Sequence, residues 1–179
     1  MRLQNGETVL RNVLPTDIAD YERWFQTETE WMDWDAPWEE WEEGEAEKFI
    51  KGIAARIDKT PDIFYRFEIA TAAGEHIGWV NSYNMDEDKL AVGINIVSPN
   101  VRGKGHGERA LAAFMAYLFE KTKKERLYTQ TWSGNTRMVK LAEKLGFSVC
   151  DCKKSCRQVR GELYDGLTFC VTQEVFARG

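Results

Sequence analysis

Residues 92–107 read VGINIVSPNVRGKGHG, an apolar run that leads into a glycine-rich loop. We predict a strand over Val92 to Val97, followed by a loop from Arg102 to Gly107. Its glycines let the backbone curl so that successive N–H groups point inward. A helix is predicted next, because apolar residues recur at helical spacing, at Leu111, Phe114, Met115 and Leu118. The unpaired N–H groups of its first turn add further donors, so the loop is a predicted phosphate site.

The glycine spacing separates this loop from two other phosphate-binding loops. The dinucleotide fingerprint Gly-x-Gly-x-x-Gly does not match, because a single residue separates Gly105 from Gly107. The P-loop requires Ser or Thr after Gly-Lys, whereas Lys104 is followed by Gly105. The pattern that fits is Arg-x-x-Gly-x-Gly, with Arg102 as its first residue. A glycine-rich connection without a ligand is the alternative interpretation.

A second motif, NTRMVKLAEKLGF, covers Asn135 to Phe147. It predicts a short amphipathic helix with Gly146 at its C-cap, where a left-handed residue is needed. Together the two motifs resemble the acetyl-CoA-binding segments of the GNAT superfamily of N-acetyltransferases. The resemblance implies that Asn135 bonds the pantetheine arm of acetyl-CoA. Asn135 is also a suitable N-cap for the helix behind it, and both roles can hold together.

The predicted order of elements, β-α-α-β-β-β-α-β-α-β-β, resembles the GNAT fold along nearly the whole chain. That fold is α+β, with a mixed, mostly antiparallel twisted sheet of about seven strands, about four helices and splayed central strands. We expect residues 1–179 to form a single domain. Its first strand is predicted over Thr8 to Val13, its first helix is capped by Thr16, and its last strand covers Leu167 to Phe176. Within the family, Ile77-Gly78 and the final hairpin resemble the ribosomal-protein alanine acetyltransferase type.

Composition excludes several classes of partner. The 179 residues include 24 Lys and Arg against 29 Asp and Glu, a net charge of −5, which disfavours nucleic acid. No apolar run approaches the ~18 residues that a membrane helix needs, and we expect a cytoplasmic protein. The four cysteines lack a standard zinc spacing, so we expect free thiols and no metal.

An acidic segment follows the first predicted helix. Between Glu28 and Glu47 it holds ten acidic residues interleaved with tryptophans. The resemblance implies that this connection forms one wall of the acceptor groove, where aromatic faces and carboxylates suit a cationic amine. The residues predicted to contact substrate are Trp31, Asp33, Trp34 and Asp35. For Trp38 and Trp41, packing of the second helix is an equal alternative.

The catalytic residues are not identified by the sequence. Acetyl transfer needs a neutral amine, so a base must accept the proton of an alkylammonium. Many family members carry a tyrosine acid where this chain has Ala142, and some carry a serine in place of Met138. The strand before the loop has no carboxylate. The remaining candidates for the base are Glu68, Asp86, Glu87, the acids of Glu30 to Asp35, His76 and His106.

The resemblance implies an acetyl-CoA-dependent N-acetyltransferase acting on a primary amine, either a protein N-terminus or a small molecule. One alternative is an aminoglycoside-type antibiotic N-acetyltransferase, although Asn95 stands where those enzymes tend to have aspartate. A second is a non-catalytic acyl-CoA sensor. The expected partners are a cationic amine and a second copy of the chain in a homodimer. The residues expected to bind acetyl-CoA are Asn95, Ile96, Val97, Arg102, Gly103, Lys104, Gly105, His106, Gly107 and Asn135.

Overall fold

The structure is a computed structural model that describes residues 1–86 and 88–178. Within those ranges the chain forms eight strands and five α-helices. In chain order they are β1 (Arg2–Asn5), β2 (Thr8–Arg11), α1 (Asp17–Gln26), α2 (Glu45–Ala54), β3 (Arg66–Thr71), β4 (His76–Asn84), β5 (Leu90–Ile96), α3 (His106–Thr122), β6 (Arg126–Trp132), α4 (Thr136–Lys144), β7 (Ser148–Val159), β8 (Glu162–Thr172) and α5 (Gln173–Phe176). Short 3-10 helices cover Thr29–Asp33 and Pro99–Val101.

The strands form a mixed sheet in the order β1-β2-β3-β4-β5-β6-β8-β7. Antiparallel pairing joins β2 to β3, with Leu10 opposite Ile69. The pairing of β5 with β6 is parallel, with Ala91 opposite Tyr128. Antiparallel pairing also joins β8 to both β6 and β7. The expected α+β class, with a mixed and mostly antiparallel sheet, is confirmed.

The structure corrects both ends of the predicted order. Strand β1 was not predicted, because its exposed, mostly polar sequence RLQN lacks the alternation of a half-buried strand. At the other end β8 stops at Thr172, whose hydroxyl accepts the N–H of Val175 and so caps α5. Phe176 of α5 then packs on Phe119, with 5.7 Å between ring centroids.

Helix α1 begins directly after Thr16, as predicted, but the capping interaction differs from the prediction. Thr16 has helical backbone angles and makes no side-chain cap bond. The carboxylate of Asp17 instead accepts the N–H of Leu14 at 2.7 Å and holds the guanidinium of Arg11 at 2.6 and 2.8 Å. A carboxylate in the first turn complements the helix dipole and, unlike a hydroxyl, also neutralises the arginine.

Two compact units make up the described chain: Met1–Val80 with Ile94–Ala113, and Asn81–Gly93 with Phe114–Gly179. The first unit has an aromatic core, in which Tyr21 and Trp24 are fully buried and Trp79 is 4% exposed. Tyr21 packs edge-on against Trp24 at 5.2 Å. In this way one face of α1 is buried through its aromatic side chains.

The second unit has an aliphatic and aromatic core. Leu118 of α3 and Leu127 of β6 are fully buried, and Phe169 of β8 is 1% exposed. Trp132 packs edge-on against Tyr164, with 4.9 Å between centroids. Among the described residues, the longest helices are too short or too polar to cross a membrane.

Gly78 lets β4 approach β5 closely in the first unit. A Cβ built there would lie 1.9 Å from the carbonyl oxygen of Asn95, and φ is +154°. One residue away, the N–H of Val97 donates to the carbonyl of Ile77 at 2.9 Å. Any side chain at position 78 would therefore have to displace a backbone carbonyl of β5 (Leu90–Ile96).

We expect Gly78→Ala to lower the free energy of unfolding by about 1–3 kcal/mol, because a backbone carbonyl cannot move aside without breaking strand pairing. Gly52→Ala is the matched control, since a Cβ on Gly52 of α2 meets nothing within 4 Å. That control should raise stability by about 0.5–1 kcal/mol through helix propensity. Urea denaturation of both variants provides the measurement, and equal shifts would contradict the close approach.

Candidate functional site

The loop before α3 has the backbone shape of an anion site. Gly103 and Gly105 have left-handed φ values of +74° and +80°. α3 begins at His106, and the N–H of Arg109 bonds the carbonyl of Gly105 at 3.1 Å. The N–H groups at the start of such a helix have no intrahelical acceptor, and the helix dipole makes that end positive. The loop therefore offers main-chain donors beside a positive helix end.

Arg109 braces the loop and was not predicted. Its Nη2 donates to the carbonyl of Lys104 at 2.8 Å and its Nε to the hydroxyl of Thr8 at 3.1 Å. A Cβ on Gly105 would lie 2.7 Å from Nη1 of this arginine. A cation in the first turn opposes the helix dipole. An arginine in the first turn of a helix is unfavourable by itself but favours an anion bound at the same helix end. Its place in the sequence could therefore have indicated an anion site.

The side chain of His106 faces inward. It is 6% exposed, and its Nδ1 lies 2.8 Å from the hydroxyl of Thr8. Burial, followed by the charge of Arg109, lowers its pKa. The Thr8 hydroxyl, which also accepts from Nε of Arg109, can either donate to Nδ1 or accept from it, and the lowered pKa favours the neutral imidazole. His106 thus contributes its backbone N–H to the loop, and its buried ring is unsuited to act as the base.

Arg102 acts as a clamp between three segments of the first unit. Its Nε donates to the carbonyl of Ile96 at 3.1 Å and its Nη2 to the carbonyl of Val97 at 2.8 Å. Its Nη1 pairs with the carboxylate of Glu30, in the 3-10 helix Thr29–Asp33. The guanidinium is thus engaged by β5 and by the acidic segment. The predicted contact of Arg102 with phosphate stays a prediction.

Asn95, Ile96 and Val97, at the end of β5, are the residues predicted to lie beside the pantetheine arm. Their backbone groups do not all point in the same direction. The carbonyl of Asn95 lies against Gly78 and the N–H of Val97 bonds Ile77, so both groups face β4. Backbone groups alternate between the two edges of a strand. The N–H of Ile96 therefore points to the opposite edge of β5. Of the three residues expected at the pantetheine arm, Ile96 is the one whose backbone N–H is oriented away from β4.

Trp31 was wrongly predicted as a substrate contact. Its side chain is 4% exposed, and its indole N–H donates to the carbonyl of Trp24 at 3.2 Å. Its ring packs edge-on against Trp79 at 5.3 Å. The 3-10 helix points Trp31 into the aromatic core, an orientation that the acidic sequence around it did not reveal.

The residues that follow Trp31 in the acidic segment lie at the protein surface. The half-buried Trp34 donates its indole N–H to Glu30 at 2.9 Å, so that carboxylate joins Trp34 to Arg102. Asp33 is exposed. Trp41 packs on Phe25 with 4.8 Å between ring centroids, which supports the packing interpretation given for it. Substrate contact by Asp33 and Trp34 stays a prediction.

Asp35 lies beside β5. Its Oδ2 accepts a hydrogen bond from Nδ2 of Asn95 at 3.5 Å. Burial by surrounding protein raises its pKa, and Glu39 acts in the same direction, against the bond from Asn95. Asp35 is nevertheless exposed to solvent, so it lies at the surface and not in the interior. A carboxylate with a raised pKa is a stronger base than an ordinary aspartate.

Glu68 and His76, two further candidates for the base, belong to a buried polar network. Glu68 accepts bonds from the hydroxyl of Tyr21 at 2.5 Å, from Nε of Arg66 at 3.1 Å and from Nε2 of His76 at 3.1 Å. Burial by itself raises the pKa of Glu68, but Arg66 and His76 outweigh it, and the net effect is a lowered pKa. This network fits a structural role better than proton transfer.

The last two candidates lie between β4 and β5. Asp86 is exposed and holds the ammonium of Lys89 at 2.9 Å, which lowers the pKa of Asp86. Its environment therefore weakens it as a base. Glu87 lies outside the described residues.

Asn135, in the second unit, is the N-cap of α4. Its Oδ1 accepts the N–H of Met138 at 3.0 Å, which confirms the capping interpretation. At the other end of α4, Gly146 has the left-handed φ of +83° expected of it. Ala142 is fully buried and carries no polar group, so it offers no acid. The contact of Asn135 with the pantetheine arm stays a prediction.

Comparison with known proteins assigns the family. The family described as acetyltransferase (GNAT) domain matches residues 7–148. The chain therefore belongs to the GNAT acetyltransferase family, a family of acyltransferase enzymes. A curated relative is the SPbeta prophage-derived uncharacterized N-acetyltransferase YokL of Bacillus subtilis (strain 168), which is 25% identical over 113 residues. That match spans 63% of this chain and 64% of the relative, less than two thirds of either.

Solved structures share the fold at low sequence identity. Spermidine N-acetyltransferase from Vibrio cholerae, in complex with CoA and spermine, has a TM-score of 0.74 at 18% identity, covering 97% of this chain and 99% of that one. Ribosomal-protein-S5-alanine acetyltransferase from Vibrio fischeri has a TM-score of 0.76 at 16% identity, covering 98% of both chains. These similarities confirm the expected GNAT fold.

We expect Arg102→Lys to lower the free energy of unfolding by about 1–3 kcal/mol, because a lysine cannot reproduce the planar set of bonds to two carbonyls and a carboxylate. Lys104→Gln, on the exposed part of the same loop, should change stability by less than about 0.5 kcal/mol. Guanidinium denaturation of both variants gives the comparison. A loss for Arg102→Lys no larger than that for Lys104→Gln would argue against the clamp.

Proposed function

We propose that the protein is an acetyl-CoA-dependent N-acetyltransferase that transfers the acetyl group to a primary amine. The observation that carries the proposal is the loop Arg102 to Gly107, with two left-handed glycines before the N-terminus of a 17-residue helix. Main-chain N–H groups and a positive helix end are suited to the pyrophosphate of CoA. Membership of the GNAT family and the CoA complex of the spermidine enzyme support the same assignment.

Each predicted cofactor residue has a proposed role. The N–H groups of Gly103, Lys104, Gly105, His106 and Gly107 bind the pyrophosphate, with Arg102 holding the loop to β5. Ile96 offers its N–H to an amide of the pantetheine arm, as an added strand would. Asn95 and Val97 orient that edge through their bonds to β4. Asn135 bonds the pantetheine arm while it caps α4. The splay of the central strands stays a prediction.

The acceptor is proposed to be a cationic amine. The segment from Glu28 to Glu47 supplies ten carboxylates, and the exposed Asp33 and half-buried Trp34 lie on it. The solved relatives include proteins named for spermidine and for a ribosomal-protein alanine as acceptors. We place this chain with the ribosomal-protein alanine type on its Ile77-Gly78 and final hairpin. A homodimer stays a prediction.

Asp35 is proposed as the general base. Position 95, near the end of β5, carries an amide that cannot accept a proton, and Nδ2 of that amide donates to the carboxylate of Asp35 at 3.5 Å. The carboxylate takes the proton of the attacking amine as the N–C bond to the acetyl carbon forms. The CoA thiolate leaves and is protonated from solvent. The raised pKa of Asp35 favours this proton transfer.

The first test measures acetyl-CoA binding by calorimetry in Gly103→Ala. A Cβ on Gly103 meets nothing within 4 Å, so the fold can accept it apart from the cost of the left-handed φ. We expect at least about a tenfold loss of affinity, because the donors of the loop are displaced from the phosphates. Gly161→Ala is the matched control, with φ of +87° and nothing within 4 Å of its Cβ. Equal affinities in the two folded variants would remove the loop from the cofactor site.

The second test separates catalysis from acceptor binding. Because the pKa of Asp35 is raised and the base acts when deprotonated, activity should fall as pH drops through that pKa. Asp35→Asn should remove this acidic limb and lower kcat by about 100-fold or more. Asp33→Asn should raise KM for the amine at low salt and leave kcat within about twofold. An unaltered pH profile in Asp35→Asn would exclude it as the base.

The acceptor class follows from release of CoA thiol with three amines: an alanine-initiated peptide, spermidine and an aminoglycoside. We expect the peptide to give the highest kcat/KM. Preference for the aminoglycoside would support the antibiotic-modifying alternative. Acetyl-CoA binding without thiol release for any amine would support the sensor.

A further inference from the structure

A cavity of about 410 Å³ lies beside α2 in the first unit. Its apolar walls come from Trp41, Phe49 and Ile53. The rings of Trp41 and Phe49 meet edge-on at 89°, with 5.9 Å between centroids. Two aromatic faces at right angles leave a corner that accepts a flat apolar body. The volume is within the range of small-molecule sites, which is about 300–1,000 Å³.

The charges that line the cavity are mainly positive. Lys48, Arg56 and Arg66 line it, against Glu45 as the acidic residue. The carboxylate of Glu45 accepts the backbone N–H of Glu42 at 2.9 Å at the start of α2, where the helix dipole also offsets its charge. In the part of the chain that the structure describes, Lys48 and Arg56 make no ion pair. This corner is therefore basic, although the segment before α2 is acidic.

Arg66 is held in a fixed position at the cavity wall. Its side chain is 8% exposed, and its guanidinium lies over the ring of Trp79 at 4.9 Å and of Phe49 at 5.5 Å. Its Nε bonds Glu68 and its Nη2 bonds the hydroxyl of Tyr21. Within the described residues, these bonds leave Nη1 as the terminal nitrogen that no protein acceptor holds. A rigid guanidinium with an available donor is suited to a carboxylate.

We propose that this cavity binds a small aromatic carboxylate, with its ring against Trp41 and Phe49 and its carboxylate between Arg66, Lys48 and Arg56. The aromatic carboxylate is proposed as a bound ligand and not as an acceptor of the acetyl group, because it lacks the amine that the transfer requires. The proposal stands independently of acetyl transfer, because it rests on α2 and β3 and uses neither the glycine loop nor Asp35.

Calorimetry with three matched probes tests the proposal: 1-naphthoate, 1-naphthamide and 1-naphthylmethylamine. We expect the full-length protein to bind 1-naphthoate at least about tenfold more tightly than either other probe, and less tightly as salt rises. Saturating acetyl-CoA should leave this affinity unchanged. Loss of 1-naphthoate binding with acetyl-CoA present would place the probe in the cofactor site and overturn the proposal.

Two variants and one control variant locate the probe. Lys48→Gln combined with Arg56→Gln should weaken 1-naphthoate binding about fivefold or more, whereas Lys51→Gln, on the same helix and outside the cavity lining, should leave it within about twofold. Gly52→Leu should abolish binding with the circular dichroism spectrum retained, since Gly52 lines the cavity and a Cβ there meets nothing within 4 Å. Equal affinity for the three probes, an equal loss in Lys51→Gln, or full binding in folded Gly52→Leu would each overturn the assignment.

Discussion

The guanidinium of Arg102 connects the parts of the first unit on which the proposed chemistry depends. It bonds the carbonyl of Ile96, the last residue of β5, and that of Val97, it begins the glycine loop, and it pairs with Glu30 in the acidic segment. A planar cation with several fixed donors can hold three segments at once, which a lysine cannot do. Glu30 in turn accepts the indole N–H of Trp34, so the segment that carries Asp35 is tied to the strand that Asp35 contacts.

The polar network under α1 is a second constraint on the same unit. Both ring nitrogens of His76 lie 3.1 Å from carboxylates, those of Asp20 and Glu68. Glu68 is also paired with the guanidinium of Arg66, whose Nε lies 3.1 Å from its carboxylate. Ion pairs at this depth have a large desolvation cost, and removal of one partner would leave a buried charge uncompensated. The network therefore fixes how α1 lies on β3 and β4.

The sequence predicted the elements that have strong periodicity and the two motifs between Val92 and Phe147. The glycine loop, the strand before it and the cap at Asn135 depend on local backbone rules, and these can be read from residue type and spacing. The orientation of side chains in the tertiary structure was harder to predict from the sequence. Trp31 sits among acids in the sequence, yet a 3-10 helix turns it into the core. The clamp of Arg102 on Glu30 and the bracing of the loop by Arg109 join residues far apart in the chain, and no periodicity reports such contacts.

The uneven distribution of tryptophan gives the protein a spectroscopic asymmetry. Six of the seven tryptophans belong to the first unit, and Trp132 belongs to the second. Intrinsic fluorescence consequently reports almost entirely on the unit that contains the aromatic core and the glycine loop. The strands β6 to β8 contribute to far-ultraviolet circular dichroism while adding little to the emission. Any difference between the two signals during unfolding would therefore distinguish the melting of one unit from that of the other.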